Sequence, residues 1–511
     1  MNKNPEKFFV FLMLFAYAGI VAVLSFHHAL WRDEVVPMSA VIGSSSLFDL
    51  FSKTHNSGHP ELLVTVLYLL YHVFPFYFIL KIVNISVCIA AVYIFLTCSP
   101  FSLLQKFLFI FGFFPLYLYP VFCRDYSFIM LLLFAFAALY PKRFERMIPL
   151  GLILLLLANA HAYALIITIA AAGSLTLEYL FSPEALQSRK VRPKEAVIGF
   201  ALIIAGIIFS VTHIIPDHTS IYYQPHAIGF GKIVRAFIQS LSRPGEIIPT
   251  VFGVSSILFS TLIVFLVYFY LLRSPYLLLL FFSAIMGLGL FYHLIFESVE
   301  IRYQGVFYLL WTAVLWISRS LHENNSQPHI GDSLQEKIIR HKDAFFTLLL
   351  IIQICLAYPA LKEEIVNDYS SSKSFGHFIN QNASFKQAVL VGDPDNSLES
   401  IPYYTDNPVY LLREGRFAKY RQLTTANRQE ISLAELLNTS RKLKAQTGKP
   451  LLILLGYKLS PDGPFLIKSS HHDKIFTYSK EALADFNAHT KLVGRFQKAI
   501  CDENYDVYLL E

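Results

Sequence analysis

Along residues 1–361, apolar runs of membrane length alternate with short polar islands. A run of roughly 17–25 apolar residues is long enough to cross a bilayer as a helix. With no water in the lipid core to satisfy the backbone, such a run has to be helical. The pattern predicts about eleven spans, near 8–26, 76–98, 105–122, 125–140, 147–160, 162–181, 196–216, 250–272, 275–296, 302–319 and 344–361. The stretch 59–74 is also apolar, but it is short, opens with Pro60 and Glu61 in helix-start positions and ends at Phe74-Pro75. It reads as an interfacial half-helix inside an external loop over 27–75. From 362 onward the apolar runs shorten. Strands are expected at 388–392, 409–412, 451–455 and 507–510, with helical patterns near 397–404 and 431–446. The fold class expected is a polytopic α-helical membrane protein with a C-terminal soluble α/β domain over 362–511.

Composition supports this division. The chain is 55% hydrophobic and 15% charged, with 46 Phe and 29 Tyr. Its net charge of +6 needs no nucleic acid to account for it, because Lys and Arg fall mainly in short loops. Lys3 and Lys7 precede a long run without a small-residue cleavage site, which reads as a retained signal anchor. The five cysteines show neither metal spacing nor a paired framework.

Charge also sets the expected topology. With 59–74 kept out of the span count, Lys142, Arg143 and Arg146, then Arg189, Lys190, Arg192 and Lys194, then Arg273, then Lys337, Arg340 and Lys342 all fall on the cytoplasmic side. The opposite face then receives 27–58, Cys123-Arg124-Asp125-Tyr126, Asn159-Ala160-His161, the 217–249 loop, the stretch from Glu297 through Glu300 to Arg302, and everything after 362. The segment 320–343 reads as a polar cytoplasmic linker.

Those islands carry the candidate chemistry. Asp33 or Glu34 is suited to act as general base on an acceptor hydroxyl, which is a poor nucleophile until its proton is taken; an ordinary hydrated acidic pair fits the same residues. His59 either orients a substrate, binds a metal, or simply precedes the helix that Pro60 starts. A divalent metal stays open as a cofactor, although no HExxH and no close His/Cys cluster is present. Arg124 either grips a phosphate through its planar fork or pairs with Asp125. His161, Glu297 and Glu300 face the same choice between site and structure, as do Lys81, which is costly in lipid, and the group His213, His218, Tyr222, Tyr223 and His226. No GxGxxG or Walker sequence occurs, so no nucleotide site is expected.

Taken in order, Leu30-Trp31-Arg32-Asp33-Glu34, Gly58-His59-Pro60-Glu61-Leu62, Arg124-Asp125-Tyr126, Leu156-Leu157-Ala158-Asn159-Ala160-His161 and Arg302-Tyr303-Gln304-Gly305 resemble the GT-C superfamily of polyprenyl-phosphate-sugar-dependent membrane glycosyltransferases. The branch most similar is the bacterial one of protein O-mannosyltransferases and the lipid A aminoarabinose transferase. The resemblance covers roughly 8–320 and implies that 1–361 is a glycosyltransferase domain. It implies a sugar moved from a polyprenyl-phosphate donor to a glycolipid, polysaccharide or protein acceptor at the extracytoplasmic face of the plasma membrane, with inversion. In that superfamily the first acidic residue after the first span is the catalytic carboxylate, which here is Asp33. Glu34 and His59 would shape the site, Arg124, Arg302 and Lys81 would neutralise the phosphate, and Arg32, Asp125, His161 and Tyr303 would complete the substrate contacts. His59-Pro60-Glu61 departs from the His-Pro-Pro of many relatives. The alternatives from other classes are a transporter or flippase of lipid-linked sugars and a non-catalytic scaffold presenting the C-terminal domain. A transporter calls for midplane charges and repeated broken helices, whereas the charges here cluster at one interface.

Overall fold

The computed structural model describes residues 5–183, 185–187, 192–220, 223, 229–242, 264, 267, 268, 270–272, 274–295, 301–322, 334–419, 421, 422, 424, 426–468 and 474–511. Glu297, Glu300, Tyr222, His226, Arg189, Lys190, Arg273 and most of the 250–272 span expectation lie outside the described residues.

Among the described residues, six helical stretches are long and apolar enough to cross a membrane: Glu6–His27, Ile79–Cys98, Ala162–Phe181, Pro193–Ile214, Pro275–Ile295 and Asp343–Gln381. A seventh arises if Leu103–Ile110 and Phe113–Val121, bent by 49° at the break, count as one span. The bend has a local cause: Pro115 has no N–H to give, and Phe113–Leu118 winds as a π-helix. Tyr126–Lys142 and Met147–Ala158 are apolar but shorter. Leu62–Val73 is a 12-residue helix, about 18 Å long, too short to cross a bilayer.

In chain order the helices are α1 (Pro5–His27), α2 (Arg32–Ile42), α3 (Leu47–Thr54), α4 (Leu62–Val73), α5 (Ile79–Cys98), α6 (Leu103–Ile110), α7 (Tyr119–Val121), α8 (Tyr126–Leu139), α9 (Met147–Ala158), α10 (Ala162–Phe181), α11 (Pro193–Ile214), α12 (Phe230–Ser242), α13 (Pro275–Ile295), α14 (Ile301–His322) and α15 (Leu334–Val366). Helices α9 and α11 meet at Gly151 and Gly199, where a Cβ on either would run into the other helix's backbone. This close approach lets Asn159 Nδ2 reach Gly206 O (3.2 Å) and Ser210 Oγ reach Ala158 O (2.7 Å), which fixes the turn that carries His161.

The C-terminal part is a layered strand and helix domain. Its six-stranded sheet runs β3-β2-β1-β5-β9-β8, with β1 (Val389–Asp393) parallel to β2 (Val409–Leu411) and β5 (Leu451–Leu455). β3 (Arg416–Phe417), β8 (Thr490–Phe496) and β9 (Tyr505–Leu510) add antiparallel pairs. A smaller sheet joins β4 (Glu430–Ser432), β7 (Ile475–Thr477) and β6 (Leu466–Lys468) in that order. Helices α16 (Ser371–Gln381), α17 (Leu433–Thr447) and α18 (Lys480–His489) complete it. β1 and β5 are buried along their whole length, as strands covered on both faces should be. The four expected strands are present. The helix expected at 397–404 is instead two short 3-10 turns, Asp395–Leu398 and Ile401–Tyr403, because Pro402 breaks the run.

This domain is clamped onto α2. Arg32 donates to both oxygens of Asp502, at 2.6 and 3.0 Å, and its backbone N–H reaches Glu503 Oε1 at 2.8 Å. Tyr404 OH accepts from Leu30 N at 2.7 Å, and Tyr403 OH donates to Val35 O at 3.1 Å while sharing a bond with Ser39 Oγ.

Candidate functional site

The polar islands meet at one end of the helices. α2 begins at Trp31 immediately after α1, and successive helical residues point about 100° apart. Arg32, Asp33 and Glu34 therefore face three directions, and each finds a different environment.

Asp33 faces the ends of α8 and α14. Its Oδ2 lies 3.2 Å from Arg302 Nη1, its Oδ1 lies 3.8 Å from Arg32 Nε, and its backbone carbonyl accepts from Arg124 Nη1. Its side chain keeps 31% exposure, so a substrate can reach it. Burial alone would raise the Asp33 pKa; the charges of Arg124, Arg302 and Arg32 reverse this and lower it. Trp31 forms a wall, with the Arg32 and Arg302 guanidiniums 5.2 and 5.6 Å from its ring centre. Arg302 also lies 5.3 Å from the ring of Tyr303, which packs 5.2 Å from Tyr163.

Glu34 points inward and is fully buried. Its oxygens accept from Cys123 N (2.7 Å), His28 Nε2 (2.8 Å) and Trp31 N (3.2 Å). His28 reaches Glu364 through its other nitrogen at 2.8 Å. Burial opposes a charge on His28, but Glu34 and Glu364 on either side raise its pKa to about 9. Lys81 is buried as well and donates to Ser25 O and His28 O at 2.7 and 2.9 Å, closing the C-terminal turn of α1. Neither Glu34 nor Lys81 contacts Asp33, and Arg32 is committed mainly to Asp502.

A second group lies beside Asp33. His59 Nδ1 is 3.5 Å from Asp125 Oδ2 and its Nε2 is 3.4 Å from Arg124 Nη2. The His161 ring meets His59 edge to face at 5.5 Å and lies tilted 5.2 Å from Tyr126. Its Nδ1 accepts from Tyr163 N at 3.1 Å as the N-cap of α10. Burial pushes the His161 pKa down to about 3, so the ring is neutral. Among the described residues, Trp31 Nε1, Arg124 Nε, Asp125 Oδ1, Tyr126 OH and His161 Nε2 are buried without a hydrogen-bond partner. Buried polar atoms are rarely left so; Arg124 Nε and Asp125 Oδ1 lie 3.8 Å apart as an ion pair, which leaves Trp31 Nε1, Tyr126 OH and His161 Nε2 with hydrogen bonds still to make. Glu61 is separate: both its oxygens accept from Thr54 Oγ1, at 2.7 and 2.8 Å, and burial pushes its pKa up to about 7. It therefore does not cap α4, whose first N–H goes instead to Asn159 O.

His59, Asp125 and His161 have candidate metal-ligand atoms within 4.8 Å of one another. Their chemistry does not fit a divalent cation. His161 Nδ1 is occupied as an acceptor, so the proton of the neutral ring sits on Nε2, the nitrogen that would have to bind metal. Arg124 also places a guanidinium against His59 Nε2. The group is suited to polar, hydroxyl-rich or anionic ligands.

The candidates Arg32, Asp33, Glu34, His59, Lys81, Arg124, Asp125, His161, Arg302 and Tyr303 are thus gathered around one helix-end region, while only some of them face its accessible part. His213 lies apart, against Phe209 and Phe51. The sequence reading missed Tyr163, Asp502, Glu503 and Tyr403. No local pattern marks them, since each acts on a residue far away in the chain. No protein-family model matches the chain, and a search of curated proteins finds no match.

Proposed function

We propose that the protein is a GT-C-type membrane glycosyltransferase that transfers a sugar from a polyprenyl-phosphate donor to an acceptor hydroxyl at the extracytoplasmic face, with about eleven spans. The observation that carries this reading is the accessible Asp33, whose carboxylate meets the Arg302 guanidinium and whose backbone carbonyl accepts from Arg124, beside buried polar atoms that lack hydrogen-bond partners. A sugar phosphate supplies what those groups need. Its phosphate suits two arginines, and its hydroxyls both give and accept hydrogen bonds.

In the reaction, Asp33 takes the acceptor hydroxyl's proton as that oxygen forms a bond to the sugar's anomeric carbon. The bond from that carbon to the phosphate oxygen breaks with its electron pair, and polyprenyl phosphate leaves, held by Arg124 and Arg302. Donor binding also activates the base. Its phosphate draws on two of the three positive charges that depress the Asp33 pKa, Arg124 and Arg302, so the carboxylate becomes more basic once the donor is in place. His59 fixes Arg124 and is itself held by Asp125, while His161 and Tyr126 stand ready for sugar hydroxyls and Tyr303 supports Arg302. Glu34, Lys81 and Arg32 are positioning residues. The test is transfer from a radiolabelled polyprenyl-phosphate sugar in proteoliposomes, following release of polyprenyl phosphate. Movement of donor between leaflets without release, unchanged in Asp33→Asn, would favour the flippase reading and reject this one.

A further inference from the structure

Where the C-terminal domain meets the ends of α1 and α15, it encloses a pocket of about 920 Å³. One wall consists of helix ends: His27 closes α1, and Ile365 and Val366 close α15 with 60% and 70% exposure. The last turns of α1 continue this apolar surface through Val23, 71% exposed, and Phe26, 52% exposed. The opposite wall comes from the domain, with Lys458 following β5 and Arg495 and Lys498 at the end of β8.

The acids lining the pocket already have partners. Lys373 Nζ is 3.7 Å from Asp368, while Gln497 Nε2 donates to Asp506 at 3.0 Å and Arg495 lies 3.8 Å from it. Lys458 and Lys498 make no ion pair among the described residues. Uncompensated positive charge therefore stands beside the apolar flank at the end of α1, whereas Ile365 and Val366 on α15 follow the charged run Lys362-Glu363-Glu364.

We propose that this pocket holds the phosphate of an anionic lipid, with its acyl chains along the exposed flank of α1. The apolar flank of α1 belongs in hydrocarbon, and the lysines line the pocket at its end, beside His27, where headgroup phosphates lie. A soluble phosphate ester shares the charge but has no use for the apolar wall, which is why the lipid is the occupant. The inference does not use Asp33 or its arginines, so it stands apart from the glycosyltransferase reading.

The test uses the full-length protein in neutral detergent. Native mass spectrometry measures retained phosphatidylglycerol against phosphatidylcholine, and thermal unfolding is followed with each lipid and with inorganic phosphate. The wild type should retain phosphatidylglycerol preferentially. Each basic residue near a membrane surface contributes about fivefold, so Lys458→Gln with Lys498→Gln should weaken that affinity about thirtyfold. Lys480→Gln with Lys491→Gln, which removes the same charge elsewhere on the domain, should leave it unchanged. Equal retention of the two lipids by the wild type, or equal loss in both double variants, would overturn the proposal. So would stabilisation by inorganic phosphate that depends on Lys458 and Lys498 without any preference for phosphatidylglycerol, since this would identify a soluble phosphate site.

Discussion

Arg302 Nη1 lies 3.2 Å from Asp33 Oδ2, joining the start of α14 to the first turn of α2 across 269 residues. The pairing leaves Asp33 charged and accessible. It also makes the basicity of this carboxylate depend on a residue at the other end of the helical domain.

Asp33→Asn should insert normally and lose about 10²–10⁴-fold in transfer, the usual loss on removing a general base. Glu34→Gln should behave differently. It replaces a buried acceptor of three hydrogen bonds with an amide that brings donors of its own, so the effect should appear as lowered thermal stability. Transfer assays and unfolding scans on both variants check this, and near-normal transfer by Asp33→Asn would remove Asp33 from the proposed role.

Arg302→Gln should shift the acid side of the pH–activity profile. Arginine lowers the Asp33 pKa, so removing it raises that pKa, and Asp33 stays protonated to a higher pH. The acid limb of kcat/KM should therefore move upward in Arg302→Gln, while Arg302→Lys, which keeps the charge, should move it less. A loss of activity with an unshifted profile would mean that Arg302 serves only in binding.

His28 gives a stability prediction with a definite sign. Its pKa rises from the ordinary histidine value of 6.5 to about 9 in the folded protein. The contribution of protonated His28 is thus fully present below about pH 6.5 and is lost as pH rises through about 9. Thermal unfolding in detergent should fall more steeply between those limits for the wild type than for His28→Gln. Parallel slopes would show that His28 is not charged between Glu34 and Glu364.

Single-cysteine labelling in a Cys-free background, with a membrane-impermeant maleimide, tests the proposed orientation. Positions Ser45, Arg235 and Glu430 should label from outside, and Gln335 should not. Labelling at Gln335, or none at Glu430, would reverse the site's side.

The division into membrane helices and a stranded tail was legible because hydrophobic length and alternation are local. So was the set of islands around Asp33. Their individual roles were not, because adjacency in sequence is dispersal on a helix. Arg32, Asp33 and Glu34 read as one acidic and basic cluster, yet α2 turns one to Asp502, one to Arg302 and one to His28. Lys81, costly in lipid, was expected to face protein or the interface, and the resemblance made it a phosphate ligand; it is buried and bonds two carbonyls at the end of α1. Glu61 does stand at the start of α4, as expected, but its carboxylate accepts from Thr54 and does not cap the helix. For Arg32, Asp33 and Lys81 a contact from a distant segment decided the direction.

The clamp between Arg32 and Asp502 makes a last prediction. Arg32 is buried and Asp502 is half exposed, with two parallel bonds of 2.6 and 3.0 Å. Solvent at Asp502 discounts the pair to a coupling of about 1 kcal/mol, small beside the whole fold but placed one residue from Asp33. If the domain positions α2, Asp502→Asn should speed amide hydrogen exchange in α2 and lower kcat, with donor KM little changed because Arg124 and Arg302 are untouched. Arg32→Lys should restore only part of the effect seen in Arg32→Ala, since an ammonium cannot make both bonds at once. Combining Arg32→Ala with Asp502→Ala should cost less than the sum of the two single changes. Strict additivity, or a rise in KM at constant kcat, would show that the domain does not hold the carboxylate in place.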